Sequence, residues 1–154
     1  MRSGPEVMVS IGALLLAFVV CIIATPLVIR VASRYGYVSK PKVDRWNLRP
    51  TPLMGGIAIY LGVVASVLSF SELEQEMVGV LCGGTLIFIL GLVDDVLANK
   101  PSSKFLGEIL AACVVIYAGL KFDLIPNPYL NIFLTILWLV GITNAFNLLD
   151  NMDG

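Results

Sequence analysis

Uncharged runs long enough to cross a bilayer leave this chain few ways to fold. Val7 to Ile29 is 23 residues without a charge, Pro50 to Ser71 is 22, Met77 to Val93 is 17 and Leu124 to Leu149 is 26, where about 20 apolar residues span the hydrocarbon core. A fifth stretch, Phe105 to Leu120, is 16 residues with Glu108 inside it; it is marginal alone and reasonable when packed in a bundle. Hydrophobic residues make up 58% of the chain and charged ones 14%, outside the range of soluble domains. The expectation is an all-α, polytopic membrane helix bundle of about five transmembrane helices, near residues 7–29, 53–71, 77–93, 105–120 and 129–149. The first run is too long for the apolar core of a signal peptide, and Arg30 and Arg34 behind it read as a stop-transfer flank.

Positive residues in short loops stay on the cytoplasmic side. Arg30, Arg34, Lys40, Lys42, Arg45 and Arg49 follow the first run, and Lys100 and Lys104 follow the third, which leaves only Arg2 and Lys121 on the other side. The N-terminus is therefore expected outside, and five crossings bring residues 144–154 to the cytoplasm. Three polar clusters then share one membrane face: KPKVDRWNLRPTPLMGG (40–56), GLVDDVLANKPSSK (91–104) and NAFNLLDNMDG (144–154). Ionisable groups at or within a membrane are costly and mark function, so this face is the expected active-site face.

The chemistry available there is narrow. The chain has no histidine, the commonest general base and metal ligand, and Cys21, Cys82 and Cys113 sit singly inside apolar runs, as small hydrophobes do. Asp94 and Asp95 are adjacent carboxylates at a membrane edge; they are either a solvated helix end or a repelling pair that a bound divalent cation relieves. Asn144, Asn147, Asp150 and Asp153 recur every third residue, a stripe of amides and carboxylates if the helix continues, or a cap-and-turn composition if it ends. An oxygen-only donor set without His or Cys suits Mg²⁺, with Mn²⁺ as substitute. Cations near Lys42, Arg45 and Arg49 would complement phosphates, or serve simply as positive-inside bias and contacts to anionic lipid. Thr51-Pro52 reads as extended chain, Gly55-Gly56 as a place of close backbone approach, and Gly83-Gly84 as a helix crossing. Glu108 stands one turn beyond Lys104, and an i, i+4 ion pair is its simplest explanation.

RPTPLMGG at 49–56, GLVDD with its following lysine at 91–104, and NAFNLLDNMDG at 144–154 together resemble the polyprenyl-phosphate N-acetylhexosamine-1-phosphate transferase family, closest to its undecaprenyl-phosphate GlcNAc-1-phosphate branch. Asn47 stands where that branch often carries histidine, and Asn151 where many members carry glycine. The resemblance implies an enzyme of the inner (plasma) membrane, with its active site facing the cytoplasm, that transfers a HexNAc-1-phosphate from a UDP-sugar to a polyprenyl phosphate. UMP is released in this first membrane step of envelope polysaccharide synthesis. It also implies Mg²⁺ as cofactor and the UDP-sugar, the lipid phosphate and the membrane as partners, with no nucleic acid. By the same carry-over, Asp94 and Asp95 are catalytic and Asn147, Asp150 and Asp153 serve the metal; Asn144, Lys104, Lys42 and Arg45 contact substrate.

Family members continue past the third motif to a further Gly-Asp metal motif and a cytoplasmic loop that meets the sugar nucleotide. Residues 1–154 thus read as the N-terminal half of one membrane transferase domain, inactive alone and completed by a C-terminal half or, alternatively, a homodimer partner. The alternatives are phospho-MurNAc-pentapeptide transferase activity and a non-catalytic membrane fragment. An intramembrane prenyltransferase would carry Asp-x-x-x-Asp spacing, which VDDVLANK lacks. A transporter would place ionisable groups near the bilayer midplane, whereas here they gather at one face.

Overall fold

The computed structural model describes residues 4–39, 51–97 and 101–151. Five helices account for nearly all of them: α1 (Gly4–Tyr35), α2 (Gly56–Phe70), α3 (Gln75–Leu97), α4 (Pro101–Tyr117) and α5 (Pro128–Asn151). The only strands among the described residues are β1 (Val38–Ser39) and β2 (Thr51–Pro52), antiparallel with Val38 opposite Pro52 and Ser39 opposite Thr51. The expected all-α bundle is therefore what forms. Within it, α1 from Glu6, α3 to Val96 and α5 to Leu149 are long and apolar enough to cross a membrane. At 1.5 Å per residue, the 15 residues of α2 and the 17 of α4 reach only about 22 and 25 Å, short of the roughly 30 Å hydrocarbon core.

The shortness of α2 has a local cause. Its uncharged run begins at Pro50, but Thr51-Pro52 pairs as a strand, as its sequence suggests, and Met54 adopts a left-handed φ of 72°, so the helix starts only at Gly56. Gly55 and Gly56 show no close approach: no described atom lies within 4 Å of a Cβ placed on either. At the other end of the loop, α1 stops where Gly36 turns left-handed at φ 76°. Tyr37 N–H then bonds back to the Ala32 carbonyl at 2.8 Å and Gly36 N–H to that of Ser33 at 3.4 Å, the two bonds of a glycine-terminated helix.

Chain contacts divide the protein into two compact units, residues 1–72 and 73–154. In the first, α1 packs against α2 through small residues. Ala24, Ala32, Ala58 and Gly62 are buried, and the Ser66 hydroxyl donates to the Ala13 carbonyl on α1 at 2.8 Å. Large side chains such as Leu14, Phe18, Ile23 and Ile59 stay exposed. That inversion of the soluble pattern is expected where lipid is as apolar as leucine and close backbone approach drives association. A Cβ on Gly62 would stand 2.7 Å from the Ala17 carbonyl oxygen, a backbone atom with no free end to yield. Gly62→Ala is therefore expected to destabilise by about 1–3 kcal/mol. Gly84→Ala, with no described atom within 4 Å of the added carbon, should be neutral or stabilising by up to about 1 kcal/mol. Thermal unfolding in detergent ranks the two, and equal melting points would contradict this packing.

In the second unit α4 packs against both α3 and α5. Gly79 and Gly83 of α3 meet Val115 and Ala111 of α4 and Ala118 just beyond its end, and Gly107 of α4 meets the Leu90 side chain. Gly83 is at a helix crossing as expected; Gly84 beside it is not. The connection from α4 to α5 is clamped by two buried polar residues of α5. Asn131, 3% exposed, accepts the N–H groups of Leu124 and Ile125 at 3.2 and 3.1 Å and donates to the Ile125 carbonyl at 2.8 Å. Thr135 accepts Phe122 N–H at 2.9 Å. Asn127 caps α5 by accepting the N–H groups of Tyr129 and Leu130, with Pro128 in the first helical position, where its missing N–H costs nothing.

Candidate active site at the ends of three helices

Motif residues of the second unit lie at corresponding helix ends. Asp94 and Asp95 occupy the last turn of α3, and Lys104 the first turn of α4. Pro101 starts α4, so only a short connection separates the acids from the lysine. Lys104 Nζ lies 3.4 Å from Asp94 Oδ2, with side chains 21% and 32% exposed. Asp95 beside them is exposed. A pair this accessible adds little stability. Its effect is positional: one carboxylate and one ammonium are held together where α3 ends and α4 begins.

Helix α5 runs on past Leu149 to Asn151, so Asn144, Asn147 and Asp150 lie on one continuous helix, the outcome in which the three-residue spacing builds a stripe. Asn147 is half-buried. Asp153 lies outside the described residues, as do Lys42 and Arg45.

Glu108 does not pair with Lys104. Lys104 reaches across to Asp94 on α3, while Glu108, 3% exposed, receives the Asn144 amide of α5 on Oε2. The i, i+4 spacing correctly puts the two side chains on neighbouring turns, but α4 lies against two helices and each side chain finds its partner on a different one. Lys104 and Glu108 thus connect the acidic end of α3 to the amide stripe of α5. The overlooked signal was Glu108 itself, an acid within an apolar run, which is a costly placement.

The donors at the end of α3 and along α5 are carboxylates and carboxamides. Among the described residues no group of three acidic, His or Cys side chains converges on one point, so a cage made only of protein ligands is not what they form. Such a set fits Mg²⁺, which takes one or two carboxylates and leaves its remaining positions to phosphates and water. Of the residues expected to serve it, Asn147 is described on α5, while the Asp150 side chain and Asp153 lie outside the described residues.

The sequence profile of Glycosyl transferase family 4 matches residues 77–154, the stretch that carries α3 beyond its first two residues, α4, α5 and the motifs at 91–104 and 144–154. The chain is 36% identical over 92% of its length to a Bacillus subtilis (strain 168) protein named "Probable undecaprenyl-phosphate N-acetylglucosaminyl 1-phosphate transferase", covering 42% of that protein. It is 33% identical over 91% of its length to the "Decaprenyl-phosphate N-acetylglucosaminephosphotransferase" of Mycolicibacterium smegmatis, covering 39% of it. Against the "Phospho-N-acetylmuramoyl-pentapeptide-transferase" of Endomicrobium trichonymphae it is 30% identical over 93%, covering 48%. No solved structure matches. The chain spans less than half the length of each of these relatives. With the profile covering half of the residues and the acids, lysine and amides placed at helix ends as described, this chain belongs to glycosyl transferase family 4.

Proposed function

We propose that this chain supplies the N-terminal portion of a membrane transferase that moves GlcNAc-1-phosphate from a UDP-sugar to a polyprenyl phosphate such as undecaprenyl phosphate. A lipid phosphate oxygen attacks the β-phosphorus, the bond from that phosphorus to the oxygen bridging it to the α-phosphate breaks, and UMP departs with the electron pair. The observation that carries this reading is the bridge made by α4, which ties Asp94 through Lys104 and Asn144 through Glu108. The names of the relatives favour GlcNAc over MurNAc-pentapeptide, since the GlcNAc-named proteins reach 36% and 33% identity and the pentapeptide-named one 30%.

Both reactants are anionic, so the work is charge neutralisation and positioning. Asp94 and Asp95 lie where the lipid phosphate meets the bilayer edge; Asp94 accepts any residual proton of that phosphate, and Asp95 orients it. Lys104 holds a phosphate oxygen, exchanging part of its contact with Asp94 for it. Asn147, Asp150 and Asp153 serve a Mg²⁺ ion, which when bound supplies charge neutralisation at the diphosphate, and Asn144 helps to align the nucleotide. Lys42 and Arg45 attract the lipid phosphate. Exchange of radiolabelled UMP into UDP-GlcNAc tests the chemistry, because only a reversible step that breaks the diphosphate produces it. Membranes carrying residues 1–154 joined to the remaining length of the Bacillus relative should show it, and no exchange above the empty-membrane background would refute the proposal.

The site is proposed to face the cytoplasm of the plasma membrane, on the strength of the eight-to-two division of lysine and arginine. A reporter fused after Gly154 should score cytoplasmic and one inserted beside Asn127 external. Both on one side would remove a crossing between them and separate the clusters.

A further inference from the structure

Asn144 carries one amide nitrogen and one carbonyl oxygen, and its surroundings distinguish them. Nδ2 donates to Glu108 Oε2 on α4 and, at 2.9 Å, to the Val140 carbonyl one turn back on α5. A carboxamide NH₂ has two protons to give, and both are committed. Either partner alone would favour the nitrogen in that position; a flipped amide would set its oxygen against a backbone carbonyl and a buried carboxylate together. Val140 is buried and Glu108 is 3% exposed, so water cannot easily relieve the clash. Asn144 as a whole nevertheless stays exposed, and Oδ1 has no partner among the described residues.

We propose that Glu108 is a positioning residue which, with the Val140 carbonyl, turns the Asn144 side chain so that it offers the site an oxygen acceptor and never an N–H donor. The ligand Asn144 takes is then electropositive: a divalent cation or its bound water, or an N–H of the nucleotide base. It does not hold a phosphate oxygen, which would be repelled by Oδ1. This deepens the transferase reading and rests on it for the identity of the ligand, though not for the hydrogen bond.

Glu108 is well suited to this by being an acid on a helix that touches both neighbours. A carboxylate only accepts, so it enforces one orientation of the amide. Its second oxygen, Oε1, is buried without a hydrogen-bond partner among the described residues, a desolvation cost that this acid carries in the fold. Asn147 and Asp150 lie one and two turns further along α5, so fixing Asn144 also orients the start of the stripe that carries them.

The test has two arms. In the 154-residue chain in detergent, ¹⁵N-asparagine labelling makes the Asn144 side-chain NH₂ visible, identified by its loss in Asn144→Ala. Glu108→Leu should bring that pair to free-amide shifts with water exchange at least about tenfold faster, because a buried acceptor is lost. Glu108→Gln, whose carbonyl can still accept, should leave it near wild type. An unmoved pair in Glu108→Leu overturns the proposal, whatever the protein catalyses.

In the enzyme completed with the remaining length of the Bacillus relative, Glu108→Leu should raise the half-saturating Mg²⁺ about 10–100-fold if the ligand is the cation or its water. If the ligand is a base N–H, KM for the UDP-sugar should rise instead, and in both cases kcat at saturation should fall less. Should Glu108→Leu prove too unstable to assay, Asn144→Asp replaces it. Asp is the stronger cation ligand, yet it would place an oxygen against Glu108 and Val140 and lose activity. Adding Glu108→Gln, which can donate to that oxygen, should recover about tenfold through the coupling expected of residues sharing a hydrogen bond. Full activity of Asn144→Asp, or no recovery in the double variant, contradicts the assigned orientation. Absence of activity from the completed enzyme with native residues would refute the transferase reading alone, since the amide resonances still decide what Glu108 does.

Discussion

Asp94→Asn and Asp95→Asn, each in the completed enzyme, should lower turnover by about two to three orders of magnitude, the size seen when a preorganised electrostatic group at a reacting phosphate or acyl centre is removed. The substitutions are nearly isosteric and fall in the last turn of α3. The ion pair that Asp94 makes with Lys104 is partly exposed and so contributes at most about 1 kcal/mol to stability. Yield, membrane insertion and melting point should therefore be near those of the parent while kcat collapses. Asp150→Asn should behave alike, through the metal. Near-normal Mg²⁺-dependent turnover after loss of Asp94 and Asp95 together would exclude them from the chemistry.

The second large effect concerns what the 154 residues can do by themselves. Presented alone in detergent with UDP-GlcNAc, Mg²⁺ and undecaprenyl phosphate, they are expected to form no lipid-linked product above background. Expression beside the remaining length of the Bacillus subtilis relative should restore it. The expectation follows from coverage and from the site. The chain corresponds to 42% of that relative, and Mg²⁺ leaves several of its positions to substrate phosphates and water, so the proposed site draws on groups outside these helices. Separately inserted membrane helices can associate afterwards, which makes rescue in trans a realistic readout. Appreciable turnover by the isolated chain would show that α1 to α5 contain a complete active site.

The helices were legible because an uncharged run in a membrane chain has almost one solution, and α1, α3 and α5 follow their runs closely. Less legible was where α2 begins: uncharged residues from Pro50 promised an earlier start, but strand pairing at Thr51-Pro52 and the left-handed Met54 depend on a partner segment that hydropathy does not reveal. The clamp made by Asn131 and Thr135 was invisible for a related reason, since two polar residues in an apolar run look like tolerated exceptions until the loop they bind is placed. At the site, the motif residues Asp94, Lys104 and Asn144 could be picked out in sequence, but their partners could not. Helical spacing alone pairs Lys104 with Glu108. The rotation of α4 between α3 and α5, set by Gly79, Gly83 and Gly107 at the α3 crossing, sends the lysine to one neighbour and the glutamate to the other.

The central claim is that the acids of α3 and the amide stripe of α5 serve transfer of a sugar phosphate and not of a sugar. UDP-GlcNAc labelled with ³²P at the β-phosphate decides it most directly, using the completed enzyme and undecaprenyl phosphate. Transfer through the β-phosphorus moves the label into the lipid extract and releases unlabelled UMP, and Asp94→Asn should abolish that movement. Label retained in UDP while sugar appears on the lipid would mean that the bond broken is the glycosidic one, and the role assigned to these residues would be wrong.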